Sequence, residues 1–378
     1  MNKRSTWADV HLDALRGGAA LIVALGHARG LFFSSLTGST KAGQLTIGDE
    51  AVMAFFVLSG YLVGGSVINN IRNNRWDWAD YLIKRLVRLW IVLIPAVFIG
   101  VLLDLIGLYF FSHNGSVYAT PIEGGYVHAG FAENIHKISV ILGNVFFLQT
   151  IYVPTLGTNT SLWSLSNEFW YYLLFPAGLL ALNSNVDMTR RFAYGAAALM
   201  IFSLPGAHAE FLFLTWLSGA LVAALPNLIS KRWATWAVSI SSITFLILFL
   251  GIKKLNLPLY PAELLIASFV SILVYTIKCQ TTPSNPSPYT WISAWSAKIS
   301  YTLYLTHLPF LVLMCAIINT PWHMSAMTAA SLTKFLAVVI LAVLWAGLIY
   351  YFFESRTTVV RTEITAWVQK FRTRTANA

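Results

Sequence analysis

Charge and cysteine are both scarce in this chain. Only 11% of its 378 residues are Asp, Glu, Lys or Arg, whereas 57% are hydrophobic, and the mean hydropathy is +0.66. Soluble domains carry about 25% charged residues, so this composition excludes an ordinary soluble protein and predicts a polytopic membrane protein. The two cysteines, Cys279 and Cys315, have no paired spacing and no neighbouring His/Cys cluster, so we expect neither a disulfide framework nor a metal site.

Acidic residues are scarcer than basic residues: the chain has 15 Asp and Glu but 25 Lys and Arg, and the net charge is +10. No nucleic-acid-binding motif, internal repeat or long linker accompanies this excess, so we expect no nucleic-acid partner. The hydropathy pattern predicts an all-α bundle of ten membrane spans, each of roughly 20 apolar residues. The predicted spans cover about residues 10–33, 47–68, 87–110, 162–182, 192–206, 209–226, 235–252, 259–277, 298–318 and 329–353.

The basic residues also predict an orientation. With the N-terminus inside, 18 of the 25 Lys and Arg fall on the inner side and 6 on the outer side, and Arg16 lies within the membrane. This bias satisfies the positive-inside rule, so we expect both termini to be cytoplasmic. Residues 136–153 predict an amphipathic segment that lies on the outer face or re-enters it. The Pro/Ser-rich residues 279–297 predict an inner loop. We expect residues 1–354 to form a membrane domain and residues 355–378 a basic cytoplasmic tail with a surface helix.

The first span, which contains HLDALRGGAALIVALGHARG, carries two ionisable residues, Arg16 and His27. Eleven residues are almost three helical turns, so both side chains share one face, roughly 16 Å apart along the axis. An ionisable residue at such depth faces the bundle interior and is a functional candidate. The alternative for either residue is structural, an Arg–carboxylate pair or a hydrogen-bonded core histidine. Together they predict a phosphate or carboxylate bound at Arg16 and chemistry at His27.

Two further stretches combine small or basic residues. In FFVLSGYLVGG, the small residues Ser59 and Gly60 let helix backbones approach closely. They are candidate site residues, and the alternative is that they serve only helix packing. In LIKRLVRLW, Arg85 and Arg88 share a helix face and suit a phosphate group. A basic pair at the end of a span can alternatively act only as a topology anchor.

Three later stretches place polar side chains in apolar spans. In SLWSLSNEFWYY, Glu168 lies about a turn and a half into its span, where a carboxylate needs a partner. Glu168 is therefore a candidate site residue, and the alternative is a purely structural ion pair with an arginine. In ISYTLYLTH, the side chains of Tyr301, Tyr304 and His307 repeat every three residues on one helix face. This pattern predicts a binding site, and the alternative is a seam of polar packing contacts between helices. Glu354 ends the last span in YYFFES, where the alternative is an exposed charge at a helix end.

Taken in order, these stretches resemble the acyltransferase-3 family of integral membrane proteins over about residues 11–354. The resemblance rests on LDALRG followed by His27, then on FFVLSGY, RLVR, SLWSLSNEFWYY and SYTLYLTH. In two departures, Ile91 stands where members often have proline, and no proline follows Glu354. The resemblance implies transfer of an acyl group, commonly acetyl, from cytoplasmic acyl-CoA to a carbohydrate hydroxyl, with no metal.

The resemblance also implies residue roles. It carries over Arg16 and His27 as the essential pair, and it also carries over Glu168. We expect His27 and Glu168 to be the catalytic residues. The resemblance also carries over Phe56 without a role of its own. The residues we expect to bind acyl-CoA are Arg16, Ser59, Gly60, Arg85 and Arg88. Those for the carbohydrate acceptor are Trp163, Tyr304 and His307, to which we add Tyr301 because it shares the face of the last two.

The implied partners are membrane lipid and a glycan such as lipopolysaccharide or exopolysaccharide, at a bacterial cytoplasmic (inner) membrane. The alternative function is a transporter or flippase of a glycan or lipid-linked precursor. That function favours inverted repeats and helices broken at mid-membrane, which the sequence does not clearly show.

Overall fold

The computed structural model describes residues 5–33, 47–113, 115–119, 127, 130–323 and 326–376, and a helix covers each of the ten predicted spans. The helices, in chain order, are α1 (Trp7–Phe32), α2 (Ile47–Ser59), α3 (Gly65–Arg72), α4 (Trp78–Phe111), α5 (Phe131–Asn134), α6 (Ile138–Val145), α7 (Trp163–Leu182), α8 (Met188–Ser203), α9 (Ala207–Ala224), α10 (Lys231–Gly251), α11 (Leu259–Lys278), α12 (Pro288–Ile318), α13 (Ala329–Phe352) and α14 (Thr357–Ala376). A π-helical turn, Gly60–Gly64, joins α2 to α3.

Seven helical segments of the described chain are long and apolar enough to cross a membrane. They are the α2–α3 run, α4, α9, α10, α11, α12 and the run that begins with α13. This confirms the predicted all-α polytopic membrane fold. The helices α1, α7 and α8 do not meet the same length and apolarity, so the total of ten spans and the cytoplasmic position of both termini stay predictions.

The chain divides into two compact units. Unit 1 comprises Met1–Asn69, Trp163–Ser300 and His323–Val339, and unit 2 comprises Asn70–Leu162, Tyr301–Trp322 and Ile340–Ala378. The predicted site residues divide accordingly. Those in unit 1 are Arg16, His27, Phe56, Ser59, Gly60, Trp163 and Glu168. Those in unit 2 are Arg85, Arg88, Tyr301, Tyr304 and His307. The predicted boundary at residue 354 stays a prediction.

In unit 1, the end of α2 and the π-helical turn pack against α9 with almost no side chain between them. A Cβ atom on Gly60 would overlap the carbonyl oxygen of Trp216, and one on Gly219 would overlap the carbonyl oxygen of Val57. Such close approach is what small residues permit at helix interfaces in membranes. The geometry therefore favours the packing interpretation of Gly60, while its predicted contact with acyl-CoA stays a prediction.

In unit 2, a buried carboxylate ties a loop to α4. The side chain of Asp104 accepts hydrogen bonds from the backbone N–H of Thr158 at 2.8 Å and from its hydroxyl at 2.7 Å. The preceding residue, Gly157, has a φ of +59°, and a Cβ there would overlap the Asp104 carboxylate, so only glycine fits. Burial, together with the nearby Asp104 charge, raises the pKa of Tyr118 far above its usual range.

One predicted loop is partly wrong. Residues 279–297 were expected to form an inner loop, but α12 begins at Pro288, so only 279–287 lie outside a helix. The hydroxyl of Ser287 accepts the N–H of Thr290 at 3.2 Å and caps the helix. A proline at the first helical position suits this geometry because its missing N–H would have no partner there. The tail does form a helix, α14, and the expected amphipathic segment at 136–153 contains α6.

Candidate functional site

Arg16 and His27 lie on one unbroken helix. The helix α1 runs from Trp7 to Phe32 behind a capping box formed by Thr6 and Asp9, so the predicted register of the two side chains applies. His27 is partly buried. Its helix neighbours Val23, Ala24 and Leu31, three or four residues away, are at most 2% exposed. The imidazole therefore lies on the face of α1 that packs into the protein.

A cavity of about 250 Å³ lies at the Arg16 end of this helix. The residues that line it are Asp9, Leu12, Asp13, Arg16, Leu58 and Leu62. The guanidinium of Arg16 is 3.5 Å from the carboxylate of Asp13, and both side chains are about one-third exposed. The cavity thus contains a cation that can pair with a phosphate or carboxylate group, carboxylates that can accept hydrogen bonds from N–H or O–H groups, and three leucines that can contact an alkyl chain.

A chain of hydrogen bonds joins two predicted site residues, Ser59 and Glu168. Nε1 of Trp216 donates to Oγ of Ser59 at 3.1 Å, and the Ser59 hydroxyl is 3.1 Å from the hydroxyl of Tyr172. The Tyr172 hydroxyl donates to Glu168. With Ser59 donating to Tyr172, every donor in this chain points toward the carboxylate, which stabilises its negative charge. The partner of Glu168 is therefore a tyrosine one helical turn away, where the sequence also allowed an arginine.

Trp163, at the start of α7, lies among aromatic rings. Its ring is 6.3 Å from that of Phe56, and it stacks on the imidazole of His208 with centroids 6.2 Å apart and an interplanar angle of 19°. Phe56 also lies 5.8 Å from the ring of Tyr171. Unit 1 therefore brings Trp163 and Phe56 together, and Ser59 and Glu168 together.

In unit 2, Arg88 forms an ion pair with Glu354, a residue whose side chain is only 4% exposed. Glu354 also accepts a hydrogen bond from the hydroxyl of Thr302. The Arg88 guanidinium lies 4.9 Å from the ring centroid of Tyr301. Glu354 is thus buried and paired, not an exposed charge at a helix end. The neighbouring Arg85 places its guanidinium 5.6 Å from the ring of Tyr81.

The three aromatic residues of α12 bond to backbone carbonyls of unit 2. The hydroxyl of Tyr301 donates to Leu89 at 3.0 Å, the hydroxyl of Tyr304 donates to Ser161 at 3.1 Å, and Nδ1 of His307 is 2.9 Å from the carbonyl oxygen of Leu303. His307 is fully buried. These bonds favour the packing-seam interpretation, and the predicted acceptor-binding role of the three residues stays a prediction.

Two ionisable residues that the sequence patterns above do not single out, His208 and Glu263, are paired in unit 1. Nε2 of His208 lies 2.9 Å from Oε1 of Glu263. The sequence signal that could have identified this pair is Glu263 itself, because a carboxylate five residues into an apolar span requires a partner. Asp104 of α4 gives the same signal in unit 2.

Comparison with known families gives one match. A model of the family described as an acyltransferase domain matches residues 9–351, which is nearly the whole chain. Comparisons with curated proteins and with solved structures found no match.

Proposed function

Because the chain belongs to the acyltransferase-3 family and is a multi-pass membrane acyltransferase, we propose that it transfers an acyl group from cytoplasmic acyl-CoA to a carbohydrate hydroxyl. Acetyl is the acyl group we propose, with acetyl-CoA as donor. The acceptor is a glycan of the cell surface, such as lipopolysaccharide or exopolysaccharide, at the outer side of a bacterial inner membrane. No metal takes part in this proposal.

The observation that carries the proposal is the arrangement of α1. One continuous helix bears Arg16 beside a cavity and His27 roughly 16 Å further along the same face. That separation suits an extended pantetheine arm, whose phosphate end is anionic and whose other end carries the thioester. The arrangement supports a donor that enters at Arg16 and presents its reactive carbonyl near His27.

Two courses of the reaction are open at His27. In the first, the neutral imidazole takes the proton of the acceptor hydroxyl, the oxygen attacks the thioester carbon, and the C–S bond breaks. The proton then passes to the CoA thiolate, so that CoA leaves as a thiol. General-base assistance of this kind typically contributes about 10²–10⁴-fold. In the second, the imidazole nitrogen attacks the thioester carbon, the C–S bond breaks, and CoA leaves as a thiol with the proton that the acylated imidazole gives up. The acceptor oxygen then attacks the acyl carbon, the C–N bond to the imidazole breaks, and the hydroxyl proton returns to the imidazole.

We further propose that Glu168 stabilises the positive charge that His27 acquires in either course, as a carboxylate does in hydrolase triads. The hydrogen bond from Tyr172 supports this role because it holds the Glu168 carboxylate in one orientation. For the head group of CoA, we propose Arg85 and Arg88 as phosphate ligands. The ion pair with Glu354 means that Arg88 would meet the phosphate with its charge already partly balanced.

The test is a His27→Ala variant assayed with labelled acetyl-CoA in membrane vesicles that contain the native acceptor. We expect the variant to lose acyl transfer, measured as label in the glycan and as free CoA thiol, while it remains folded in thermal unfolding. His136→Ala replaces an exposed histidine outside the proposed site and should transfer normally. Wild-type vesicles that release no CoA would contradict the proposed function, and full transfer by His27→Ala would contradict the catalytic role.

A further inference from the structure

Four residues of unit 1 meet where three helices begin. Trp163 is the first residue of α7, His208 is the second residue of α9, and Tyr260 and Glu263 lie in the first two turns of α11. We refer to Trp163, His208, Tyr260 and Glu263 as the His208 cluster. Since α9 and α11 are both long and apolar enough to span a membrane, we expect their first turns to lie at a membrane boundary, which a water-borne polar molecule can reach.

The polar centre of the cluster is a buried carboxylate joined to an accessible imidazole. The side chain of Glu263 is 2% exposed, whereas that of His208 is 42% exposed. Oε1 of Glu263 pairs with His208, and its Oε2 is buried without a hydrogen-bond partner among the described residues. A buried carboxylate is costly unless it is paired, so the bond to His208 is the interaction that retains it. With the proton on Nε2 donated to Glu263, Nδ1 of His208 accepts a hydrogen bond.

Two aromatic rings flank this imidazole. Trp163 stacks on it with an interplanar angle of 19°, and the ring of Tyr260 lies 5.7 Å away at 38°. Tyr260 is itself supported by the ring of Phe211 at 4.5 Å. A pyranose ring has an apolar face of C–H groups and a rim of hydroxyl groups, so it needs aromatic surface next to a few fixed polar atoms. Ligand sites combine these two features.

We propose that the His208 cluster binds the sugar ring of the acceptor, an inference that rests on the proposed function for the identity of its ligand. Trp163 and Tyr260 contact the apolar face of the sugar. His208, oriented by Glu263, exchanges a hydrogen bond with a ring hydroxyl. His208 and Glu263 are thus binding residues, and the reacting hydroxyl is one that points away from them.

The test is saturation-transfer-difference NMR on the full chain in phosphatidylcholine nanodiscs, with methyl glucoside, galactoside, mannoside and rhamnoside as probes. We expect at least one glycoside to receive saturation from the wild type. His208→Gln keeps an amide donor for Glu263, and Tyr260→Leu removes one aromatic wall. Each variant should raise the Kd of that glycoside about fivefold, the effect of losing one ordinary contact. Trp236→Leu changes an exposed tryptophan of α10 and should leave the Kd unchanged.

Absence of saturation in the wild type, or equal saturation in the wild type and in folded His208→Gln and Tyr260→Leu, overturns the proposal. The second result would make the cluster an interfacial aromatic anchor in the lipid head groups. Release of CoA from acetyl-CoA is measured on the same samples. CoA release without glycoside binding rejects only the sugar site, whereas glycoside binding without CoA release rejects only the proposed acyl transfer.

Discussion

Among single residues of unit 2, Arg88 has structural contacts and is also a proposed phosphate ligand. Arg88 is tied to buried Glu354, lies over the ring of Tyr301, and is still 36% exposed. Removing one partner of a buried ion pair leaves the other charge unpaired, and this is costly whether or not the pair itself was stabilising. Loss of activity after substitution of Arg88 would therefore not by itself identify a phosphate ligand.

A double substitution separates the structural role of Arg88 from its proposed role in phosphate binding. We expect Arg88→Ala to lower both the thermal stability and the affinity for CoA, because it leaves Glu354 unpaired and removes a phosphate donor. The Arg88→Ala/Glu354→Gln protein should recover most of the stability because no buried charge remains. Its affinity for CoA should stay roughly 10- to 100-fold weaker, as expected for a lost charge-assisted bond. Calorimetric titration with CoA measures this difference, with Glu354→Gln alone as control. Recovery of full CoA affinity in the double variant would make Arg88 a structural anchor only.

Among the structural elements, the π-helical turn Gly60–Gly64 lies in close contact with its neighbour α9. It follows Ser59, whose hydroxyl joins the hydrogen-bonded chain to Glu168, and it presses against the backbone of α9. π-helical turns inside longer helices often occur at functional sites. Here the turn sets the distance between α2 and α9, and with it the position of Ser59 relative to Trp216.

Gly60→Ala should therefore destabilise the protein. The added Cβ meets a backbone carbonyl of α9, which cannot rotate away, so we expect a cost of roughly 1–3 kcal/mol, typical of overpacking. Gly178→Ala is the matched control, because no described atom lies within 4 Å of the added Cβ in α7. Alanine in a helix interior is favoured over glycine by roughly 0.5–1 kcal/mol, so the control should be neutral or stabilising. Thermal unfolding in detergent measures both variants, and equal stability of Gly60→Ala and wild type would refute the close backbone contact.

The elements also show which parts of the site are predictable from sequence. The shared face of Arg16 and His27 follows from local helix periodicity, and the structure keeps it because α1 is continuous. The link from Ser59 to Glu168 was not predictable, since it joins residues 109 positions apart through Tyr172 by tertiary packing. The start of α12 was missed because Ser-Pro is typical both of a loop and of a helix cap, and only the bond from Thr290 to Ser287 decides between them.

For the whole molecule, the pattern of hydropathy alone predicted the class of fold and a helix at every expected span. The backbone N–H and C=O groups of a long apolar segment find no hydrogen-bond partners in lipid, so they must bond within the segment, and an α-helix achieves this. The pairs that connect helices, such as His208 with Glu263, depend on how α9 and α11 pack. Charge counts therefore predict sidedness, but they do not identify which ionisable residues pair.

The charge pattern also predicts sidedness, that is, which segments of the chain face the cytoplasm and which face outward. If the positive-inside rule holds, Arg75 lies in the cytoplasm and Lys254 outside, and both residues are exposed. The two native cysteines are buried, so a membrane-impermeant maleimide should label the wild type weakly. In intact spheroplasts, we expect the reagent to label Lys254→Cys but to label Arg75→Cys only after permeabilisation. This orientation would let CoA reach Arg85 and Arg88 from the cytoplasm while the acceptor approaches the opposite face. Labelling of Arg75→Cys in sealed spheroplasts would contradict this topology, and with it the proposed entry of acyl-CoA from the cytoplasm.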